Sequence, residues 1–411
     1  MSAPAAPRAR ALLTNPVLVW AIVLLLLIPV AIRMFQILVV GTDVRVVDFD
    51  VFYIASQLIG EGQAVLAYDP GVMTARQSAM AGDHMFMPWA YPPQFDLLIA
   101  PLALVSRGIG YGIFSVLSLT AYMVVLRRLA GPWLPGVLLA IFPCLLIIAP
   151  IGQSSLIVAA LIGLVCAMWT ENRGAAATGI PLGLLVIKPH LAIGLGFAVL
   201  AERKWKVLLW AGAVVALSSA LATLVFGTGI WSAFRESSAA AAERMAHGQF
   251  KLYRMTSVYA SLLSLRLAPS AALAGHVAVA LAALTAVGIA VRRGWPVQRV
   301  LGISVISTLT ISPYSYDYDM PILGVALALL ARDLVELSRP AERIVLLAAL
   351  WFWAGGASFI AVILNHGREE DQYSWLAAGS LGLLLSAGLI GRILRRCPAR
   401  PGPAALPSPR P

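Results

Sequence analysis

The stretch Pro16–Val40, PVLVWAIVLLLLIPVAIRMFQILVV, decides the class of the chain. A secretory signal has an apolar core of roughly 7 to 15 residues, whereas about 20 apolar residues span a bilayer, and this run has the longer length. No small-x-small cleavage site follows it cleanly. Arg8 and Arg10 precede it, which places residues 1–15 on the cytoplasmic side of a first membrane helix. The rest of the chain agrees: of 411 residues 60% are hydrophobic and 12% charged, with mean hydropathy +0.85. Those values exclude a soluble globular domain and indicate a polytopic integral membrane protein.

The net charge is +11. The basic residues lie in short clusters at the ends of apolar segments, not in one patch interleaved with aromatics, so nucleic acid is not an expected partner. Arg127-Arg128, Arg173, Arg203-Lys204-Lys206, Arg292-Arg293, Arg339 with Arg343, and Arg392-Arg395-Arg396 instead mark cytoplasmic ends. Cys144, Cys166 and Cys397 have no metal-ligand spacing and suggest neither a disulfide framework nor a metal site.

With those ends inside, residues 41–93 form a large first extracytoplasmic loop. It carries Asp43, Asp48, Asp50, Glu61, Asp69 and Asp83 against Arg45 and Arg76. The second half alternates in a consistent way: 207–226, 271–291, 297–311, 320–337, 344–364 and 373–394 cross in turn. SPYSYDYDM (312–320) and NHGREEDQY (365–373) then share the outer side with Asp48. The first half has one crossing too many among 92–105, 108–125, 132–150 and 154–169. The shortest, 92–105, would span only about 21 Å as a helix against roughly 30 Å of hydrocarbon, so it is expected to dip in and return. Between 175 and 201 the chain is apolar except for Lys188-Pro189-His190, where a residue before proline should break the helix. Residues 227–256 form a second outer loop, rich in Arg, Lys and His, which reads either as an anion site or as a solvated amphipathic helix. The tail 397–411, PARPGPAALPSPRP preceded by Cys397, is Pro-rich and expected to be disordered.

Within the first loop, Asp48 and Asp50 open the apolar run VFYIA, which could lie in the interface as a helix. Asp48 taken alone reads first as the N-cap of that helix, and the sharper reading, a general base facing a membrane-embedded cleft, draws its weight from the motifs around it. Asp48-Phe49-Asp50 also forms a DxD triplet of the kind that holds a metal in sugar-nucleotide enzymes. No further carboxylate cluster is fixed by the sequence to complete the ligation, so no metal and no other cofactor is expected. A lysine as deep as Lys188 is costly without an anionic partner.

DFDVFYIA from Asp48, EG at 61–62, YDP at 68–70, YPP at 91–93 before LLIAPLALV, GQSSLIVAALIGLV from Gly152, KPHLAIGLGFAVLAERKWK from Lys188 and SPYSYDYDM from Ser312 together resemble glycosyltransferase family 87. They run in the family's order from about residue 48 to 320. The resemblance implies the all-α, GT-C-type fold, with about 11 to 13 membrane helices of some 20 residues each, in one domain over residues 16–396. It implies hexosyl transfer, plausibly of mannose, from a polyprenyl-phosphate donor to a lipid or glycan acceptor, at the extracytoplasmic face of a bacterial inner membrane.

The residues suit that chemistry. An acceptor hydroxyl must lose its proton as it attacks the anomeric carbon, and Asp48 is the expected base of an inverting displacement. Asp50 and Asp319 are the secondary acids. A phosphate leaving group needs positive charge, for which Lys188, His190 and Arg254 are the candidates, although His190 equally suits a helix end. Gln153 and Tyr316 are candidates for sugar or acceptor hydroxyls, and Ser154 suits the N-cap of the next helix. Trp89, Tyr91, Trp231, Tyr253 and Trp375 read as interfacial aromatics. Family members often carry a histidine where Tyr314 stands, so no role falls to a histidine there. The rival readings are a lipid or solute transporter, or flippase, which intramembrane charge would also mark, and a structural subunit of an envelope complex.

Overall fold

The computed structural model describes residues 13–40, 47–81, 86–358, 360 and 377–396; Asp43, Asp83, NHGREEDQY, Trp375 and the tail 397–411 lie outside them. Among the described residues the chain is helical with no β-strand. Four helical stretches are long and apolar enough to cross a membrane: Pro16–Val39, Arg107–Ala140, Trp205–Phe226 and Pro269–Arg292. Others, including Ser155–Thr170, Val297–Ile311 and Gly379–Leu394, are apolar but shorter. The protein is an all-α membrane protein, and its long helices α1 (Pro16–Phe35), α11 (Trp205–Phe226) and α14 (Pro269–Arg292) leave large apolar side chains such as Trp20, Leu209 and Leu281 uncovered. Such a surface suits acyl chains as solvent.

The helix opened by the acids, α2 (Asp48–Gly60), is not interfacial. Phe49, Val51, Phe52, Ile54, Ala55 and Leu58 are all buried, so the helix is apolar on every side and belongs to the core. The chain continues through a 3-10 turn (Ala64–Tyr68) and α3 (Pro70–Ala81). α4 (Pro93–Ile99) and the turn Ala100–Leu104 have 7 and 5 residues, too short for the roughly 30 Å of hydrocarbon. Then α5 (Arg107–Ala130) runs long, while the expected span 132–150 divides into α6 (Leu134–Ala140) and α7 (Phe142–Ile148), broken at Ile141.

α8 (Ser155–Thr170) is the central post and packs against α5, α9 (Ala175–Leu184) and α16 (Pro321–Leu337). α9 meets α11 through Gly179 and Gly183, where a Cβ would lie 2.6 Å from the carbonyl oxygens of Val207 and Ala211 respectively. This G-x-x-x-G spacing is how membrane helices approach closely without a hydrophobic driving force. The break at Lys188 falls where proline demands it. Lys188 has φ −142° and ψ 72°, between 3-10 turns that lead from α9 into α10 (Ile193–Ala201). The second loop contains the amphipathic α12 (Gly229–Ala246), and α13 (Val258–Ser264) precedes α14. α15 (Val297–Ile311) covers the predicted residues; α17 (Pro340–Trp351) and α18 (Gly379–Leu394) complete the chain.

Candidate active site

α2 starts at Asp48, and its first turn is docked onto the 149–154 turn by the Phe49 N–H, which donates to the Ile151 carbonyl at 3.0 Å. Gly152 in that turn has φ +61°, and a Cβ there would lie 2.8 Å from the Phe49 Cβ, so a side chain would meet both backbone strain and a clash. The turn delivers the buried Gln153, whose Nε2 donates to Asp48 Oδ1 at 2.6 Å. Gln153 Oε1 accepts from Tyr91 Oη at 2.6 Å and from the Ser154 N–H at 2.7 Å. The carboxamide orientation is thereby fixed from both ends. The Ser154 hydroxyl donates to Gln153 Oε1 and meets Tyr91 Oη; it makes no cap bond to α8, contrary to the N-cap expectation.

The capping role near the acids falls to Asp50 instead of Asp48. Asp50 Oδ2 accepts the Val47 N–H at 2.8 Å, and its carboxylate pairs with Arg33 at 2.9 Å and Arg107 at 2.8 Å. One buried acid thus ties α1, α2 and α5 together. The two residues of the DxD triplet face different partners, as a helical step of about 200° requires. Among the described residues no group of three or more His, Cys, Asp or Glu is placed to hold a metal ion.

A second cluster closes the site. Lys188 Nζ donates to Asp319 Oδ1 at 3.0 Å and to Ser155 Oγ at 3.1 Å, while Ser155 donates to the same carboxylate oxygen at 2.7 Å. The cost of burying Lys188 is therefore offset by Asp319. Arg254 grips Asp317 with two bonds of 2.9 Å, and its side chain remains 24% exposed. The segment carrying Arg254 is bound to the 312–320 segment by a Met255–Tyr316 bridge and by the Thr256 N–H, which donates to the Ser315 carbonyl at 2.8 Å. Tyr316 stacks on Tyr318 at 4.9 Å, and Lys188 Nζ sits 5.1 Å from the centre of the Tyr318 ring and 5.9 Å from that of Tyr91.

The clusters meet at Asp48, which is half-buried and feels Arg254, Lys188 and Asp317. Burial pushes its carboxyl above the usual range, with the two cations opposing. Against the cost of burial, the Asp317 carboxylate holds the Arg254 guanidinium above its usual range, so it stays charged. His190 lies on the turn after Lys188, within electrostatic range of Asp319 and Lys188, with no hydrogen bond to either. The site thus gathers Asp48, Gln153, Lys188, Arg254, Tyr316 and Asp319, with His190 at its margin and Asp50 in a separate ionic clamp.

Sequence reasoning passed over Ser155 and Tyr318, and read Tyr91 as an interfacial aromatic. The stacked Tyr-x-Tyr of 316–318 was the available signal. Trp89 is likewise no belt residue: it is 1% exposed, packed 5.9 Å from Phe52 and 5.8 Å from Phe95.

No curated protein and no solved structure matches the chain. The model of glycosyltransferase family 87 matches residues 89–313. That stretch holds Tyr91, Gln153, Ser155, Lys188 and Arg254; it begins after Asp48 and stops before Asp317 and Asp319. Because it spans more than half of the sequence, the chain belongs to glycosyltransferase family 87.

Proposed function

We propose that this glycosyltransferase moves a hexose, with mannose the first candidate, from a polyprenyl-phosphate donor to a lipid or glycan acceptor, at the extracytoplasmic face of a bacterial inner membrane and with inversion. The observation that carries the reading is the state of Asp48. Of the carboxylates gathered here, Asp317 and Asp319 are each in an ion pair, whereas Asp48 has a neutral amide as its partner among the described residues. It is the acid able to take up a proton without giving up a salt bridge.

In the proposed step Asp48 removes the acceptor hydroxyl proton as that oxygen bonds to the anomeric carbon. The bond from that carbon to the donor phosphate oxygen breaks, and polyprenyl phosphate leaves with the electron pair. Burial raises the proton affinity of Asp48, which favours base catalysis near neutrality. Charge growing on the leaving phosphate is met by Arg254, the more exposed of the two cations, and by Lys188 behind the Tyr318 ring. The membrane setting suits a donor whose carrier is a lipid.

The test is a transfer assay with the purified protein in lipid nanodiscs, offered polyprenyl-phosphate mannose or a nucleotide-linked mannose. Release of polyprenyl phosphate that depends on Asp48 supports the reading. Use of the nucleotide sugar alone would overturn it.

A further inference from the structure

Outside this site lies a carboxyl that the reaction does not use. Asp96, in the first turn of α4, is fully buried, and among the described residues it has no ion pair. Its Oδ1 accepts from Trp89 Nε1 at 3.0 Å, and its Oδ2 lies 2.9 Å from Tyr68 Oη. The same phenol oxygen lies 2.9 Å from the carbonyl oxygen of Tyr91. A phenol has one proton to give. If Asp96 were ionised, Tyr68 would face two acceptors with that proton, and either Asp96 Oδ2 or the Tyr91 carbonyl would be left unsatisfied in the interior. If Asp96 is the neutral acid, every group has its partner. The acid O–H donates to Tyr68 Oη, the Tyr68 O–H donates to the Tyr91 carbonyl, and the Trp89 N–H donates to Asp96 Oδ1.

The surroundings agree. α2 presents Phe52 to Trp89 and Phe95, α11 presents Ser219 to Gln94, and α12 presents Phe234 to the Tyr68 ring and Ser237 to the Trp89 carbonyl. Arg244 of α12, which lines the same cavity as Tyr68 and Trp89, sits over the Phe86 ring at 4.6 Å and makes no ion pair with Asp96, so no cation there favours a carboxylate.

The consequence reaches the base. Tyr91 is held at its carbonyl by Tyr68 and at its ring by Phe95, stacked at 4.4 Å, and its hydroxyl orients Gln153, which binds Asp48. We infer that Asp96 is kept as a neutral carboxylic acid and is a positioning residue, which through Tyr68 and Tyr91 sets the place of Gln153 and Asp48. The positioning half of this inference rests on Asp48 being the base.

Two measurements on the full-length protein in nanodiscs test it. The infrared spectrum at neutral pH should contain the carbonyl stretch of a protonated carboxylic acid that disappears in Asp96→Asn. An identical band in wild type and variant overturns the neutral acid. Asp96→Leu, which removes the donor to Tyr68 and the acceptor for Trp89, should lower kcat about tenfold with KM unchanged, and Asp96→Asn, which restores both, should recover most of that loss. Tyr68→Phe, which keeps the ring and packing, should lower kcat about tenfold with KM unchanged, as expected when a reacting group is loosened and not lost. Full kcat in Asp96→Leu or in Tyr68→Phe, or no recovery in Asp96→Asn, overturns the positioning role. The infrared arm needs no turnover, so it stands whether or not Asp48→Asn is active.

Discussion

Gln153 Nε2 and Asp48 Oδ1 meet at 2.6 Å across 105 residues of chain, joining the first turn of α2 to the turn before α8. The amide cannot reverse its polarity there, since its oxygen is already committed to Tyr91 and to the Ser154 backbone. Replacing Gln153 with Ala should therefore leave Asp48 chemically intact but free to swing. Turnover is expected to fall about 10- to 100-fold with donor affinity nearly unchanged, the scale of a misplaced reacting group. Steady-state kinetics beside direct donor binding would check the split.

Asp48→Asn keeps an oxygen for the Gln153 amide and removes the proton acceptor. The expected loss is at least about 10²-fold in kcat, with expression and donor binding retained. Asp50→Asn should differ in kind. It leaves the buried Arg33 and the half-buried Arg107 short of counter-charge, so it should lower thermal stability before it touches chemistry. Equal, severe kinetic loss in both variants together with loss of wild-type activity on chelation would instead point to a metal-binding triplet.

The pH profile follows from the burial of Asp48. Its carboxyl binds protons more tightly in the folded chain than in solution, and only the ionised form is a base, so activity should fail on acidification at a pH above the solution value of about 4. Stability runs the opposite way. The penalty of a buried charge is absent below the unfolded pKa and sets in as pH rises from there through the folded one. Asp48→Asn should remove this contribution, measured by thermal unfolding across pH.

Lys188 and Asp319 form a buried pair in which either residue alone is a liability. Lys188→Ala or Asp319→Ala should each destabilise the protein by about 3–5 kcal/mol, because the other charge is stranded. The combination Lys188→Met with Asp319→Leu should recover most of that stability. Donor binding then separates the roles: if the lysine also serves the phosphate, the stable double variant still fails to bind donor.

The orientation can be read with a membrane-impermeant thiol reagent. In a Cys397→Ser background, with Cys144 and Cys166 buried, Gln249→Cys should label in intact cells and Glu202→Cys only after lysis. The reverse pattern would turn the protein over and put the site on the cytoplasmic side.

Helix positions were legible wherever the local chemistry was strong. Proline after Lys188 broke that helix, and the apolar run 297–311 became α15 without adjustment. The cost of charge in an apolar segment singled out Lys188, whereas Asp48 and Arg254 became candidates through the family's motifs and the positive charge that a leaving phosphate needs. Their partners were not legible. Nothing local to Asp50 indicates Arg107, 57 residues on, and nothing near Lys188 indicates Asp319, 131 residues on. Ser154 shows the converse: its local pattern favours capping, but Gln153 and Tyr91 offer its hydroxyl a buried network instead.

That separation of 131 residues has a temporal meaning as well. A ribosome adding about 5–20 residues per second delivers Asp319 some 7 to 26 seconds after Lys188. Throughout that interval a lysine sits in an apolar segment with its counter-ion still unmade. The segment around the Lys188 break therefore carries an unpaired cation until residue 319 has been made. A nascent chain stopped short of residue 319 lacks the counter-ion that Lys188 has in the folded protein.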